Sequence, residues 1–405
     1  MSFRRALSSR LRRGNAADKP YSEDASSHST STSRSSSTCE RRRATAFLSY
    51  LRSNGSSPPH IAFDEVVCLM DNTAFRGSNG KWEAEFVAAV FEQCGPVTAI
   101  DLVGDVASML GLSNEDQGEQ TIEKRISPFI MEPQPGRQVR INFDDGKKEI
   151  VLCPSGENGI SSDVKEVPGA SGGYVARSVA IVPPGASGMF EMFTFHAEPE
   201  GWAVISDVDD TIKITQTDSA TGILETTFVS EPAPVPGMPQ LYSQMHTLLS
   251  PSAPWFYLSA SPYSMYPFLR SFRDTHYPHG QLILRDVSWV TISGLLSSLT
   301  QGTEEYKVDR IRKIHRWLPR RMMICIGDST QRDPEAYGSI CRELPGWVKL
   351  VLIRKVTGIA AAGIKEKNEP QRFEKAFEGV PRGIWHVFED PSECWPLVQR
   401  VVGLS

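Results

Sequence analysis

No stretch of this 405-residue sequence approaches the ~20 consecutive apolar residues that a membrane-spanning helix needs. Nor does the start carry the apolar core of a secretory leader. The expectation is a protein that meets a membrane, if at all, from the side. Cysteine is sparse and scattered. Its seven positions (Cys39, Cys68, Cys94, Cys153, Cys325, Cys341 and Cys394) include no CxxC pair. An odd, unclustered set reads as reduced thiols of an intracellular protein. Excess positive charge is missing from everything beyond residue 45. Residues 1–45 hold ten Lys/Arg against four Asp/Glu, a net of +6, so the remainder carries −11 of the overall −5. That acidic remainder has no nucleic-acid footprint.

What is present is an ordinary globular composition, 40% hydrophobic and 22% charged, long enough for two or three domains. Residues 1–45 read as a basic, Ser/Thr-rich tail with too little apolar surface to fold. Within it, Phe3, Leu7 and Leu11 recur at helical spacing among five arginines. Three readings stay open there: an amphipathic helix on an anionic membrane, a mitochondrial transit peptide, and a disordered basic end. Residues 46–120 read as a small helical region, with helical spacing over Lys81–Gln93 and Thr98–Leu112. Residues 121–200 change to strand signals over Gln138–Phe143, Glu149–Leu152, Tyr174–Val182 and Met189–His196. They predict a β-sandwich-like accessory domain. GASGG at 169–173 formally matches a nucleophile elbow, but that motif needs a strand before and a helix after. Pro168 precedes it and a strand follows, so Ser171 reads as a turn residue.

From Gly201 to the end, strands and helices alternate, the sign of an α/β domain with a doubly wound, Rossmann-like parallel sheet. Predicted strands are Ala203–Ser206, Trp255–Leu258, Gln281–Leu284, Met322–Ile326, Lys349–Ile353 and Ile384–Val387. Helices are predicted over Pro239–Leu249, Tyr263–Asp274, Glu304–Leu318, Pro334–Leu344, Pro370–Phe377 and Ser392–Val402. The insertion between the first two strands is short. Its EPAPVPGMP segment reads as a rigid entry to the next helix, with polyproline docking as the alternative.

The chemistry gathers at the ends of these strands. WAVISDVDDT (Trp202–Thr211) is an apolar run breaking into Asp207, Asp209, Asp210 and Thr211. Three carboxylates in four residues repel one another and cost solvation if buried. A fold keeps such a cluster at a strand's end for a turn, a cap or a cation, and the carboxyl ends of parallel strands, where such sheets bind ligands, make a cation the first expectation. Ser259 follows the strand WFYL and suits a phosphate oxygen, although a helix-entry turn explains it equally. Lys307 flanks the buried stripe near a helix start, where a cation opposes the helix dipole unless an anion is near. A solvated lysine is its structural alternative. MMICIGDSTQRD ends a strand in Asp328, with Asp333 five residues on. Asp333 can also be read as a helix N-cap ahead of Pro334.

In this order on this topology, the set resembles the four-motif pattern of the haloacid dehalogenase superfamily of aspartyl-phosphate phosphotransferases. The resemblance implies that Asp207 attacks phosphorus and that Asp209 is the acid/base. It gives Ser259 and Lys307 the phosphoryl oxygens and makes Thr211 a brace. Mg²⁺ would be held by Asp207, the Asp209 carbonyl, Asp328 and Asp333. Several strings are similar to one family, the fungal actin-patch phosphatidate phosphatases and their bacterial relatives: ISDVDDTIKIT (Ile205–Thr215), PVPGMPQLY, FYLSASPYSMYPFL, ILRD, IGDSTQRDPEAY and, further upstream, DNTAFRG (Asp71–Gly77). That family implies a Mg²⁺-dependent hydrolysis of phosphatidate to diacylglycerol by an enzyme peripheral to membranes and linked to endocytic actin patches. The fungal relatives carry a Pro-rich recruiting tail, whereas this chain ends at Ser405 soon after its last predicted helix. The motifs themselves do not separate phosphatidate from a soluble or protein phosphomonoester. A trafficking adaptor with little or no catalysis is the non-enzymatic alternative, which the intact motif positions oppose.

Overall fold

Trp82–Gln93 corrects the first half of the sequence reading. In the computed structural model, which describes residues 60–93, 96–111, 122–123, 125–126, 130–286, 294, 296–297, 302–357 and 363–403, this run is a strand. It follows two short strands, so that β1 (Glu65–Leu69), β2 (Asn72–Arg76) and β3 (Trp82–Gln93) stand where helices were expected. The cause is burial on both faces of β3. Ala84, Phe86, Ala88 and Val90 enter one apolar cluster, and Val87, Ala89 and Phe91 enter another. A strand covered on both sides reads as a nearly continuous apolar run, which hides its period of two. Its alanines add a helical bias. The helix expected at Thr98–Leu112 is present as α1 (Pro96–Leu110).

The first sheet continues through β4 (Met131–Pro133), β5 (Arg140–Phe143), β6 (Lys148–Val151), β7 (Ile160–Glu166), β8 (Val175–Ile181), β9 (Ser187–Met189) and β10 (Glu191–His196). Its order is β6-β5-β8-β10-β2-β3-β1-β9, with β4 and β7 also pairing β3. Three strands separate β3 from β5 in that order, yet Phe86 and Phe143 meet edge to face at 5.8 Å. The sheet therefore curls over a shared core, and it begins at Glu65 rather than near residue 121. Ser171 lies in a turn: its carbonyl accepts from Tyr174 N–H at 3.1 Å, just before β8.

The second sheet contains β11 (Trp202–Asp207), β12 (Trp255–Pro262), β13 (Gln281–Arg285), β14 (Met322–Asp328), β15 (Val348–Arg354) and β16 (Trp385–Phe388). All adjacent pairs are parallel, in the order β13-β12-β11-β14-β15-β16. Helices α2 (Ala220–Leu224), α3 (Met238–Leu249), α4 (Tyr266–His276), α5 (Thr303–Trp317), α6 (Asp333–Glu343), α7 (Ile364–Lys367), α8 (Pro370–Ala376) and α9 (Cys394–Val402) accompany it. Alternate strand residues explain the winding. Val204, Tyr257 and Ile324 share a cluster with Met245 of α3, Leu269 of α4 and Val398 of α9. Ile205, Phe256 and Cys325 share another with Ile311 of α5, Ile340 of α6 and Phe373 of α8. Both faces are thus covered, as a doubly wound sheet requires. From β11 the chain steps outward to β12 and β13, then returns to β14 on the other side. The switch point between β11 and β14 is where such sheets open a crevice at their carboxyl ends.

An ion cluster ties the two sheets together. The Asp71 carboxylate, between β1 and β2, lies 2.9 Å from Arg273 and 3.0 Å from Arg270, both on α4. It also accepts from Phe193 N–H, while Asp71 N–H donates to the Tyr266 hydroxyl. This is the structural content of the DNTAFRG string. The EPAPVPGMP segment is held by the fold: Val235 is buried and its N–H donates to Ile212. Cys68, Cys153, Cys325, Cys341 and Cys394 are free thiols. Among the described residues, no helix is long and apolar enough to cross a membrane.

Candidate active site

The site grows from the ends of β11 and β14. Buried apolar residues carry β11 to Asp207, where the backbone leaves the sheet and turns back on itself: Ile212 and Lys213 N–H both donate to the Val208 carbonyl. Asp210 occupies the left-handed region at φ 60°, a conformation that Asp tolerates better than most residues. Its carboxylate fixes the turn. Oδ1 accepts from Thr215 and Gln216 N–H at 2.9 and 2.8 Å, and Oδ2 from Thr217 N–H and hydroxyl, both at 2.7 Å. Arg354, at the end of β15, donates to the Asp210 carbonyl at 2.6 Å. This residue had no role in the sequence. The donors clustered at Thr215–Thr217 were its only visible signal.

Asp207 and Asp209 lie two residues apart and keep different company. Thr211 Oγ1 donates to Asp207 Oδ2 at 3.0 Å, and Lys307 Nζ lies 2.6 Å from Asp207 Oδ1. Ser259, within β12, donates from its hydroxyl to Asp209 Oδ2 at 2.7 Å. Thr215 Oγ1 donates to the other Asp209 oxygen at 2.9 Å. Ser259 is thereby joined to Asp209, a link its place in the sequence does not reveal.

At the end of β14, Gly327 admits Asp333. A Cβ at Gly327 would come within 2.7 Å of the Asp333 carboxyl carbon, so any larger residue would push that carboxylate away. Asp333 opens α6 but does not act as its N-cap. Its Oδ2 accepts from Asp328 N–H at 3.0 Å, and its Oδ1 pairs with Lys307, which also donates to Gln331 at 3.3 Å. Asp328 Oδ1 accepts from Thr330, while Asp328 Oδ2 is buried without a hydrogen-bond partner among the described residues.

Asp207, Asp328 and Asp333 bring carboxylate oxygens within 4.8 Å of one another, all buried. Burial and the adjacent Asp333 push the Asp207 and Asp328 carboxyls well above the usual range. Lys307 moves the other way from a typical buried lysine. Burial would lower its pKa, but Asp207, Asp333 and Asp328 more than offset that and hold it charged. With all three carboxyls ionised, the one ammonium would leave two negative charges uncompensated in a place shielded from water, which is why two of them are pushed upward. With the orphaned Asp328 oxygen, that excess fits a divalent cation bound through oxygen ligands.

Fold and site together define an α/β domain with an acidic, cation-compatible centre at its topological switch point. Residues 202–355 match the family model described as "Phosphatidate phosphatase APP1, catalytic domain". A similar curated protein is "Phosphatidate phosphatase APP1" of Saccharomyces cerevisiae, 26% identical over 162 residues. That alignment covers 39% of this chain and 27% of the yeast protein, so the chain matches about a quarter of its relative's length.

Proposed function

We propose that this protein is a Mg²⁺-dependent phosphatidate phosphatase of the haloacid dehalogenase type, forming diacylglycerol and phosphate through an aspartyl-phosphate at Asp207. The observation that carries this reading is the meeting of Asp207, Lys307, Asp328 and Asp333 in one buried cluster, inside the segment matching the phosphatase family. A Mg²⁺ held by Asp207, Asp328 and Asp333 with the Asp209 carbonyl would supply the positive charge that lets a carboxylate approach a dianionic phosphate.

The residues divide the remaining work. Thr211 holds one Asp207 oxygen and Lys307 sits against the other, which fixes the attacking group. Asp207 forms a bond to phosphorus as the phosphorus–oxygen bond to diacylglycerol breaks. Asp209 gives a proton to the departing alkoxide and then takes one from the water that attacks the aspartyl-phosphate. Free phosphate leaves and Asp207 is restored. The Ser259 hydroxyl can donate to Asp209 when it is ionised and accept from it when it is protonated, so the contact serves both steps. Lys307 and the Ser259 region offer donors to the phosphoryl oxygens as charge builds.

On this reading, 201–405 is the catalytic domain, and the curled sheet from Glu65 to about residue 200 is an accessory domain docked through Asp71. The enzyme would work at a membrane surface, with cortical actin patches and endocytic proteins as the setting the resemblance implies. The basic start and its mitochondrial alternative lie outside the described residues. The test is phosphate release from phosphatidate in mixed micelles, with Mg²⁺ and with EDTA. Mg²⁺-dependent release is expected. Release only from soluble or protein phosphomonoesters would reassign the substrate, and no release from any ester would favour the adaptor.

A further inference from the structure

The loop between Asp328 and Asp333 is held from outside the acidic cluster by two cations of one short segment. Three of its consecutive carbonyls accept from them. Arg372, on α8, donates through Nη1 to the Ser329 carbonyl at 2.6 Å and through Nη2 to that of Gln331 at 2.5 Å. Lys367, the last residue of α7, donates to the Thr330 carbonyl between them at 2.6 Å. Ser329, Thr330 and Gln331 are all buried, so their carbonyls rely on partners within the protein. Arg372 is itself fixed by Glu335 at 2.9 Å.

These contacts reach the carboxylates through a single peptide plane. The unit joining Ser329 to Thr330 accepts from Arg372 at its carbonyl and donates from its N–H to Asp328 Oδ1. A trans peptide places those two groups on opposite edges of one rigid plane, so the cation on one side sets the direction of the donor on the other. Lys367 adds a second link. Its ammonium pairs with Asp218, in the chain that follows β11, whose side chain is shielded from water. The neighbouring Thr217 holds Asp210 and meets the Thr330 hydroxyl at 2.9 Å. The loop after Asp207 and the loop after Asp328 are thus joined twice, by a pair of hydroxyls and by one lysine that touches both.

A cation site that draws ligands from both loops depends on their spacing. Mg²⁺ takes oxygens at ~2.0–2.1 Å in a near-regular octahedron, and groups that orient the ligands are worth roughly 10–100-fold in metal affinity. We propose that Lys367 is a positioning residue for the divalent cation: it clamps the two loops so that Asp207, Asp328 and Asp333 keep the spacing a small cation requires. This rests on the cation reading of the acidic cluster. The sign of the effect separates position from charge. By charge alone, a lysine near a cation site repels the cation, and its removal tightens binding. By position, its removal frees the loops and weakens binding.

Isothermal titration of the full chain with MgCl₂, without substrate, reads that sign. Wild type should bind Mg²⁺ saturably, and Asp328→Asn should lose that binding, which locates the site. Lys367→Met should bind at least about tenfold more weakly. Lys365→Met, which removes the same charge from an exposed position of α7, should bind at least as tightly as wild type. Lys367→Arg should recover most of the lost affinity. Arg372→Lys keeps its charge but cannot span two carbonyls. It should weaken binding severalfold, and it decides the matter if Lys367→Met does not fold. No saturable binding by wild type would remove the cation reading and the clamp with it. Binding by wild type with an equal or lower Kd in Lys367→Met, or with an unchanged Kd in Arg372→Lys, would overturn the clamp alone.

Discussion

Lys307 Nζ lies 2.6 Å from Asp207 Oδ1, and both side chains are fully shielded from water. The same ammonium pairs with Asp333. Removing one member of a buried ionic group leaves the other charges uncompensated, at about 3–5 kcal/mol. Lys307→Met should therefore lower stability by that amount in EDTA. Mg²⁺ should restore part of the loss if the carboxylates hold it, since binding to the folded state alone is stabilising. Urea unfolding with and without Mg²⁺ measures both effects. A Lys307→Met protein as stable as wild type in EDTA would contradict the buried cluster.

Asp210 organises the loop that carries Asp209. Asp210→Ala removes the acceptor for three buried N–H groups and a hydroxyl. It also forces a residue less tolerant of φ 60° into that conformation. The expected cost is about 3 kcal/mol or more, with a fall in kcat larger than any rise in KM. Asp210→Asn, which keeps one acceptor oxygen and tolerates the conformation, should retain more stability than Asp210→Ala. The reverse ranking would mean that the loop is held by something else.

Asp71 does for the two sheets what Lys307 does for the site. Asp71→Ala would strand Arg270 and Arg273 without their shared buried carboxylate, although Asp274 still contacts both. A loss of about 3–5 kcal/mol is expected, although Asp71 lies between two strands of the first sheet, away from the acidic cluster of the second. Purified Asp71→Ala with an unchanged urea midpoint would show that the sheets do not depend on this link.

Burial holds His196 below its ordinary pKa. A histidine depressed in the folded state contributes stability above its unfolded pKa near 6.5, and loses it as pH falls toward the folded value. Going from pH 7.5 to 5.5, wild type should therefore lose more stability, or gain less, than His196→Gln. Comparing the two slopes cancels the opposite contribution of the raised Asp207 and Asp328 carboxyls, which both proteins share. Equal slopes would place His196 in a solvated setting.

The parallel sheet was readable because each strand is a short apolar run with a loop signal at its end, and Asp207 and Asp328 close two such runs. The six predicted strands and their helices all appear, with ends shifted by a few residues. β3 was unreadable for the same physical reason that makes it central: apolar cover on both faces erases its alternation. β1 and β2 were missed because β1 is buried along its whole length and β2 over all but its last residue, so neither shows an alternating pattern. At the site, residue types pointed to Asp207, Asp209, Ser259, Lys307, Asp328 and Asp333. Asp210, Thr215, Gln331 and Arg354 were silent because their part is to hold backbone and side chains in place, which only folding reveals. Asp333 looked like a helix cap from its place before Pro334, and the close approach allowed by Gly327 turned it toward Lys307 instead.

The central claim is that Asp207 carries the phosphoryl group. Turnover of phosphatidate in Mg²⁺ can be quenched with borohydride, which reduces an acyl-phosphate to the alcohol and converts that aspartate to homoserine. Peptide mass spectrometry then locates the change. Homoserine at position 207, dependent on phosphatidate and absent in Asp207→Asn, is the predicted result. Steady phosphate release with Asp207 unmodified, or homoserine at a different aspartate, would contradict it.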